Sequence, residues 1–447
     1  MKRILYCGIF ICCFTLPAIA QHEHSTPMND TMMHKDHQMM KKGMKMSNMS
    51  NAFSINLPMS RNGSGTSWMP DASPESGNMF HTDDWMFMLH WNLFLRYNNQ
   101  DFTNEGSRGD DKFDAPDWLM FMGQRKVGDK GLFHFNTMFS LDAITMGKSG
   151  YPLLFQSGET YKGQPLVDRQ HPHDLFSELS ISYAYAFTNQ IDAFAYIAYP
   201  GEPALGPVAF MHRPSALYNP DAPLSHHWVD ATHITFGVAT LGVRFEDFKI
   251  EGSVFTGREP NEERFGFDTP KFDSWSGRFS YNPSKNWALQ ISHGFLNSPE
   301  ELHPSEDINR TTASATYSLP LSRNGWLNVI ALWGQNKIQS KQGENALLLE
   351  GSWSRNRLAL YARYEFVQKS VEELNLDDIF YGRDAIFDVS AVTVGVNYNL
   401  LDIGNTTLAA GGQFTYYITD NQLTNLYGEN PMAFEVYLRF YPALMKM

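Results

Sequence analysis

The most constraining feature of this sequence is a run of sixteen amphipathic segments between Asp84 and Tyr441, joined by connections that alternate between short and long. Within each segment apolar and polar side chains take turns, which is typical of a β-strand with one apolar face. A membrane-spanning strand needs about 9–11 residues. An even number of strands brings both termini to one side, and such barrels have short periplasmic turns and long extracellular loops. We therefore predict an all-β fold: a transmembrane antiparallel β-barrel of about 16 strands, with short periplasmic turns and long extracellular loops.

The alternation is clearest in the last segment, where Phe434, Val436 and Leu438 share one face and Glu435 and Arg439 share the other. A large soluble sandwich or propeller is the alternative, but such a fold does not require alternating connection lengths. The predicted strands are residues 84–97, 117–124, 131–142, 177–187, 190–199, 232–246, 247–258, 273–282, 285–296, 308–319, 325–337, 345–355, 357–368, 387–400, 405–418 and 432–441.

Charged residues of both signs fall on the inward face of the predicted wall. A barrel of this size is wide enough for an aqueous lumen, and a charged lining is typical of a solute pore. The same charges could instead pair across neighbouring strands and stiffen the wall. The predicted lumen-lining residues are Lys249, Glu251, Arg278, Glu350, Arg363, Glu365, Glu435 and Arg439.

Residues 1–20 have the pattern of a secretory signal peptide: Lys2 and Arg3, then an apolar stretch, then small residues before Gln21. All three cysteines lie inside this segment, so the mature chain would contain neither a disulfide nor a thiolate ligand. Removing Lys2 and Arg3 takes the net charge from −13 to −15. This acidity argues against nucleic acid as a partner and agrees with an affinity for cations.

Residues 21–50 form a segment rich in methionine and histidine that has too few core-forming residues to fold alone. Thioether sulfur is a soft ligand and imidazole a borderline one, so the segment suits copper, with silver as a competitor. Alternatives are a low-complexity spacer with incidental methionines, or a methionine-rich helix that grips a partner peptide. The candidate ligands are His22, His24, Met28, Met32, Met33, His34, His37, Met39, Met40, Met44, Met46 and Met49.

Residues 51–79 are rich in Ser, Asn, Gly and Pro and are predicted to be a flexible linker, followed by the barrel in residues 80–447. The two longest predicted loops, residues 143–176 and 200–231, each end near a group of histidines and carboxylates. These groups could form a metal site at an inward-folded constriction, or a hydrogen-bonded loop scaffold without metal. The possible loop site comprises His171, His173, Asp174, His226, His227, Asp230 and His233.

Acidic runs fill other predicted outer loops, including Glu259, Glu300-Glu301, Glu306-Asp307 and Glu372-Glu373. Such runs usually form a solvated face. They could also attract cations, or bridge lipopolysaccharide of the surrounding outer membrane through divalent ions.

The signal peptide, the leader sequence MNDTMMHKDHQMMKKGMKMSNMS and the cysteine-free barrel together resemble Gram-negative outer-membrane barrel proteins of the copper-resistance type. This resemblance implies copper binding, tolerance or passage at the cell outer membrane. From the number of strands we expect the N-terminal tail to lie in the periplasm, or to thread into the lumen from that side.

A general or solute-selective porin with an incidental leader is the alternative function. An outer-membrane hydrolase is a further one, but the sequence lacks G-x-S-x-G, H-E-x-x-H and G-x-G-x-x-G motifs. We therefore expect no enzyme activity and no cofactor other than a metal ion.

Overall fold

The computed structural model describes residues 50–322, 324–339 and 341–444, which form a closed antiparallel barrel of sixteen strands. The predicted fold class is thereby confirmed. Val436 and Leu438 are 52% and 41% exposed on the outer surface, whereas Glu435 and Arg439 of the same strand are buried. The predicted signal peptide and the candidate metal ligands of the Met/His-rich segment fall within residues 1–49, outside the described residues.

Consecutive barrel strands pair with each other, and the last strand, β22 (Met432–Pro442), closes the wall against the first, β4 (Trp85–Gln100), with Leu438 opposite Leu95. β5 (Asp110–Asp114) and β6 (Asp117–Val127) pair with successive parts of β4 and together count as one strand. The short β3 (Asn78–His81) pairs with the start of β4. The barrel elements are β3 (Asn78–His81), β4 (Trp85–Gln100), β5 (Asp110–Asp114), β6 (Asp117–Val127), β7 (Gly131–Phe139), β10 (Phe176–Ala186), β11 (Ile191–Ala198), β12 (Val238–Phe245), β13 (Phe248–Phe255), β14 (Ser274–Ser284), β15 (Trp287–Leu296), β16 (Ile308–Ser322), β17 (Gly325–Ile338), β18 (Glu344–Arg355), β19 (Leu358–Ser370), β20 (Ile386–Ile403), β21 (Thr406–Ile418) and β22 (Met432–Pro442).

The remaining elements belong to the N-terminal segment and the loops. β1 (Ser50–Asn51) pairs with β2 (Ser54–Pro58), and β8 (Tyr151–Tyr161) pairs with β9 (Gln164–Gln170). The helices are α1 (Asp142–Thr145), α2 (His226–Val229), α3 (Asp378–Tyr381) and α4 (Thr424–Tyr427), with 3₁₀ turns at Met59–Arg61, Phe210–His212, Ala231–His233 and Asn421–Leu423. Across the part of the chain that is described, we find no helix with the length and apolar character to cross a membrane.

Most predicted strand ends lie within three residues of the observed ends, and three strands differ in a way that has a structural reason. The second strand also includes β5, whose acidic sequence Asp110–Asp114 resembles a loop. The strand predicted at 131–142 ends at Phe139, where the chain turns into α1. The strand predicted at 232–246 begins only at Val238, because Ala231–His233 form a 3₁₀ turn inside the barrel.

Residues 50–76, called the N-terminal insert, lie inside the barrel at the end with the short connections, called the short-turn end. The Ser54 hydroxyl donates to Asp192 Oδ2 at 2.5 Å, and the Ala72 amide donates to Lys285 O at 2.8 Å. Phe53 packs on Phe194 with ring centroids 4.9 Å apart. This packing differs from the flexible linker expected for residues 51–79, because small polar residues suit a solvated linker and a crowded polar lumen equally well.

Two long connections also fold inward, from the opposite, long-loop end: loop A (residues 140–175) and loop B (residues 199–237). Loop B is buried along nearly its whole length and is held by the wall. Arg278 Nη1 donates to Gly206 O at 2.9 Å, and Glu365 Oε1 accepts from the Leu224 amide at 2.6 Å. Loop A is held in the same manner, with Asn98 Nδ2 donating to Pro152 O at 2.7 Å.

The structure places all eight predicted lumen-lining residues on the inner face, and each is buried. They pair with one another, with Asn92 and Arg96 of the wall, and with the inserted segments, which favours a supporting role over an open, water-filled lining. The pairs are Lys249–Glu251 at 2.9 Å, Arg278–Glu251 at 2.9 Å, Arg363–Glu350 at 2.6 Å, Arg96–Glu435 at 3.2 Å and Arg439–Asn92 at 2.9 Å.

Arg96 joins the first strand, the last strand and loop B. Its Nε lies 2.6 Å from Asp114 Oδ1, and its Nη1 lies 2.6 Å from Asp221 Oδ1 and 3.2 Å from Glu435 Oε2. All four side chains are buried, so the guanidinium compensates carboxylates that water cannot reach.

We expect Arg96→Met to lower the free energy of unfolding by about 3–5 kcal/mol, because it leaves buried carboxylates without a counter-charge. The control is Lys148→Met, which removes an exposed pair with Glu263 at 3.3 Å and should cost at most about 1 kcal/mol. Denaturant unfolding in detergent micelles, followed by tryptophan fluorescence, measures both values. Equal losses would contradict the role given to Arg96.

Candidate metal centre

Five histidines of loops A and B, called the His cluster, meet inside the barrel. The rings of His226 and His227, and those of His226 and His233, have centroids 5.1 Å apart. The His171–His227 distance is 5.5 Å and the His173–His233 distance is 5.4 Å. The structure thus brings together the histidines of the two predicted loop groups.

Local sequence explains how each loop presents its rings. Pro172 disfavours helix at the residue before it, so His171 and His173 follow β9 in an extended segment. His226 and His227 occupy the single turn of α2, and Asp230 follows His226 at the i,i+4 spacing that makes helical neighbours.

The Nδ1 atoms of the His cluster face oxygen atoms. His173 Nδ1 lies 2.6 Å from Asp142 Oδ2, and His226 Nδ1 lies 2.6 Å from Asp230 Oδ1. The other three contacts are His233 Nδ1 to Asp230 O at 2.8 Å, His171 Nδ1 to Glu159 Oε1 at 3.2 Å and His227 Nδ1 to Glu259 Oε1 at 3.6 Å. A carboxylate that accepts from Nδ1 fixes the tautomer and leaves the Nε2 lone pair available.

The Nε2 atoms of all five rings are buried and have no hydrogen-bond partner among the described residues. Burial lowers the pKa of His171, His226 and His233, and for His171 the nearby Arg264 charge lowers the pKa further. These rings are therefore neutral at physiological pH, and the neutral imidazole is the form that binds a metal ion.

His171, His226 and His227 can each direct a ring nitrogen toward one point, since these atoms all lie within 4.8 Å of one another. Nitrogens bound at about 2.0–2.1 Å around a tetrahedral ion are about 3.3 Å apart, so small ring rotations would complete the site. Gly158, at φ +134°, makes room for His227: a Cβ there would lie 2.2 Å from His227 Cε1.

Asp174 is also among the residues predicted for this site, but it lies beside the His cluster and not within it. It is buried and pairs with Arg264 at 3.2 Å, and Arg264 also contacts Glu159. Burial, opposed by Arg264, raises the pKa of Asp174 to about 6 and that of Glu159 to about 7. Asp174 thus supports the cluster through Arg264 and does not contact a histidine Nδ1.

A cavity of about 900 Å³, called the acidic vestibule, opens at the long-loop end. The acidic runs predicted in separate loops are gathered around it, and Glu159 and Glu259 also contact the His cluster. Cations would concentrate in such a field. Its acidic residues are Glu159, Glu259, Glu300, Glu301, Glu306, Glu344, Glu372, Glu373, Asp378 and Asp384, and its basic side chains are Lys341, Arg383 and the titratable His303.

Sequence reasoning missed Asp142, Glu159 and Glu259 as partners of the histidines. Asp142 lies 31 residues before His173, and Glu259 belongs to a different loop from His227. No spacing pattern relates these residues, because only the inward folding of the loops brings them together.

Comparison with known proteins supports the barrel fold and does not identify a ligand or an activity. Neither a protein-family model nor a curated protein matches the chain. Among solved structures, the OmpF–daunomycin complex of Salmonella typhi has 10% identity and a TM-score of 0.51, covering 81% of this chain and 100% of that one. The anion-selective porin of Comamonas acidovorans has 12% identity and a TM-score of 0.49, covering 80% and 100%. OmpT, an outer-membrane protein of Vibrio cholerae, has 10% identity and a TM-score of 0.46, covering 81% and 99%.

We expect Asp230→Asn to weaken Zn(II) or Cu(II) binding by about 10–100-fold, because the hydrogen bond that orients His226 is impaired. The measurement is isothermal titration calorimetry on protein that lacks residues 21–49, so that the candidate ligands of the Met/His-rich segment do not contribute. Asp174→Asn is the matched control, a buried carboxylate that contacts no histidine Nδ1, and should change affinity only a few-fold. Equal effects of the two substitutions would argue against an orienting role for Asp230.

Proposed function

We propose that this protein is an outer-membrane barrel that binds a transition-metal ion at the His cluster in its lumen, in metal tolerance or passage. The observation that carries this function is a set of five buried imidazoles whose Nδ1 atoms face oxygen atoms and whose Nε2 atoms have no partner among the residues that the structure describes. Buried polar atoms without partners are rare in folded proteins, and one metal ion would bind ring nitrogens of His171, His226 and His227 together.

Several features support an outer-membrane location for the barrel. The porin-like barrel carries large apolar side chains on its outer face, such as Leu241 at 71%, Ile250 at 65% and Ile291 at 55% exposure. Such a band suits lipid, and residues 1–20 have the pattern of an export signal. Lipid and lipopolysaccharide would then surround the wall, and the short-turn end would face the periplasm.

Copper is the favoured ion for two reasons. Imidazole binds Cu(II) strongly, although Zn(II) and Ni(II) also suit it. The Met/His-rich residues 21–50 add thioethers, which suit Cu(I). The acidic vestibule would deliver cations to the His cluster from the long-loop end.

A general or solute-selective porin is the second candidate, favoured by the fold. The inward-folded loops and the N-terminal insert weigh against a wide pore, because they occupy the lumen from both ends. A binding role also fits the His cluster better than catalysis, since its free nitrogens suit a shared ion.

We expect His226→Ala to abolish the tightest Cu(II) site of the protein that lacks residues 21–49, because His226 is central to the cluster. His293→Ala is the control: this exposed wall histidine hydrogen-bonds Thr311 at 2.8 Å, and its loss should leave binding unchanged. Metal content after dialysis against a weak chelator measures both. Retention of the ion by His226→Ala would remove the His cluster from the function.

In planar bilayers we expect this protein to show at most small channel currents, because loop B crosses the lumen. Micromolar Cu(II), added to the long-loop side, should lower any residual current. Large ohmic channels that ignore Cu(II) would favour the porin alternative.

A further inference from the structure

A group of methionines, called the Met cluster, lies on the inner wall near the N-terminal insert. Its buried members pack together with Trp118, and two partly buried methionines complete it. The members are Met59, Met79, Met86, Met88, Met120, Met122, Met138 and Met211. Within the described residues only Met69, Met146 and Met432 lie outside it.

Strand register builds most of the Met cluster. Met88 of β4 stands directly opposite Met122 of β6, and Met120 of β6 stands directly opposite Met138 of β7. Directly opposed residues have Cβ atoms about 4.5–5.5 Å apart, so their thioethers share one patch. Met59 of the N-terminal insert and Met211 of loop B cover this patch from the lumen side.

This concentration of apolar thioethers is unusual for its position. The inner wall of such a barrel is ordinarily polar, and the same faces continue with Asn92, Arg96 and Gln124. Methionine commonly fills gaps in apolar cores. The inner wall is not such a core, because the apolar face of the barrel is the outer one, toward lipid. One of the sulfur atoms also accepts a hydrogen bond, since Asn136 Nδ2 lies 3.3 Å from Met120 Sδ.

The Met cluster adjoins both the His cluster and Ser50, the first described residue. A cavity of about 50 Å³ is lined by His171 and His173 and also by Trp118 and Met211. On the other side, the Gln124 side chain donates to Ser50 O at 3.2 Å, and Gln124 follows Met122 on the inner face of β6. The Met/His-rich residues 21–49 immediately precede Ser50 in the sequence.

We propose that the Met cluster is a binding site for a soft monovalent cation, Cu(I) or Ag(I), separate from the His cluster. Neutral thioethers favour soft ions and disfavour hard divalent ones. The ion would bind and leave by ligand exchange, with no change in its oxidation state. The proposed site consists of residues of the Met cluster alone, so it does not depend on whether the His cluster binds a divalent ion.

Ag(I) is the probe, because it needs no reductant, and the protein tested lacks residues 21–49 but is otherwise the full chain. The variant M86L/M88L/M120L/M122L exchanges thioethers for side chains of similar volume, so the barrel should fold. We expect it to bind Ag(I) at least tenfold more weakly than the parent in competition titrations. Met432→Leu, outside the Met cluster, should bind as the parent does.

Two further measurements separate this site from the His cluster. His226→Ala should retain Ag(I) binding, while the quadruple variant should retain Cu(II) binding. X-ray absorption of the Ag(I)-loaded parent should show sulfur neighbours. Equal Ag(I) affinity in parent and quadruple variant, or nitrogen neighbours alone, would overturn the proposal. Should the quadruple variant fail to fold, the double variants M86L/M88L and M120L/M122L provide the same comparison.

Discussion

The structure depends on one constraint: every charge that the barrel wall turns inward needs a partner, because the lumen is crowded with protein. Arg96 holds Asp114, Asp221 and Glu435 together, and Glu365 accepts from the amide of Leu224. Breaking such buried pairs leaves uncompensated charge. The wall thereby fixes both inserted loops, and the loops in turn neutralise the wall.

The His cluster follows from that arrangement. Loops A and B follow one another along the chain, separated only by β10 and β11. Once both are fixed inside the barrel, their histidines meet at distances set by the wall. The Nε2 atoms of all five rings are buried and have no hydrogen-bond partner in the part of the chain that the structure describes. Carboxylates such as Asp142 and Asp230 orient two of the rings, so the ligands would be positioned before any ion arrives.

The lumen presents three chemical environments in spatial contact. Carboxylates line the acidic vestibule, imidazoles form the His cluster, and thioethers form the Met cluster. Glu159 and Glu259 join the first to the second, and a small cavity joins the second to the third. Ligand softness therefore increases from the long-loop end toward the wall near Ser50.

The sequence by itself determined the strands, because alternation within a strand and the lengths of the connections are local properties; all sixteen strands and the inward direction of Glu435 and Arg439 follow from them. The M-x-M pairs of β4 and β6 were equally readable, and they are the signal by which the Met cluster could have been found. Only the tertiary structure decided that residues 50–76 fill the lumen, that Asp142 meets His173, and that the acidic loops surround one cavity. Those contacts join residues far apart in the chain, and closure of the barrel, which no local pattern encodes, is what brings them within reach.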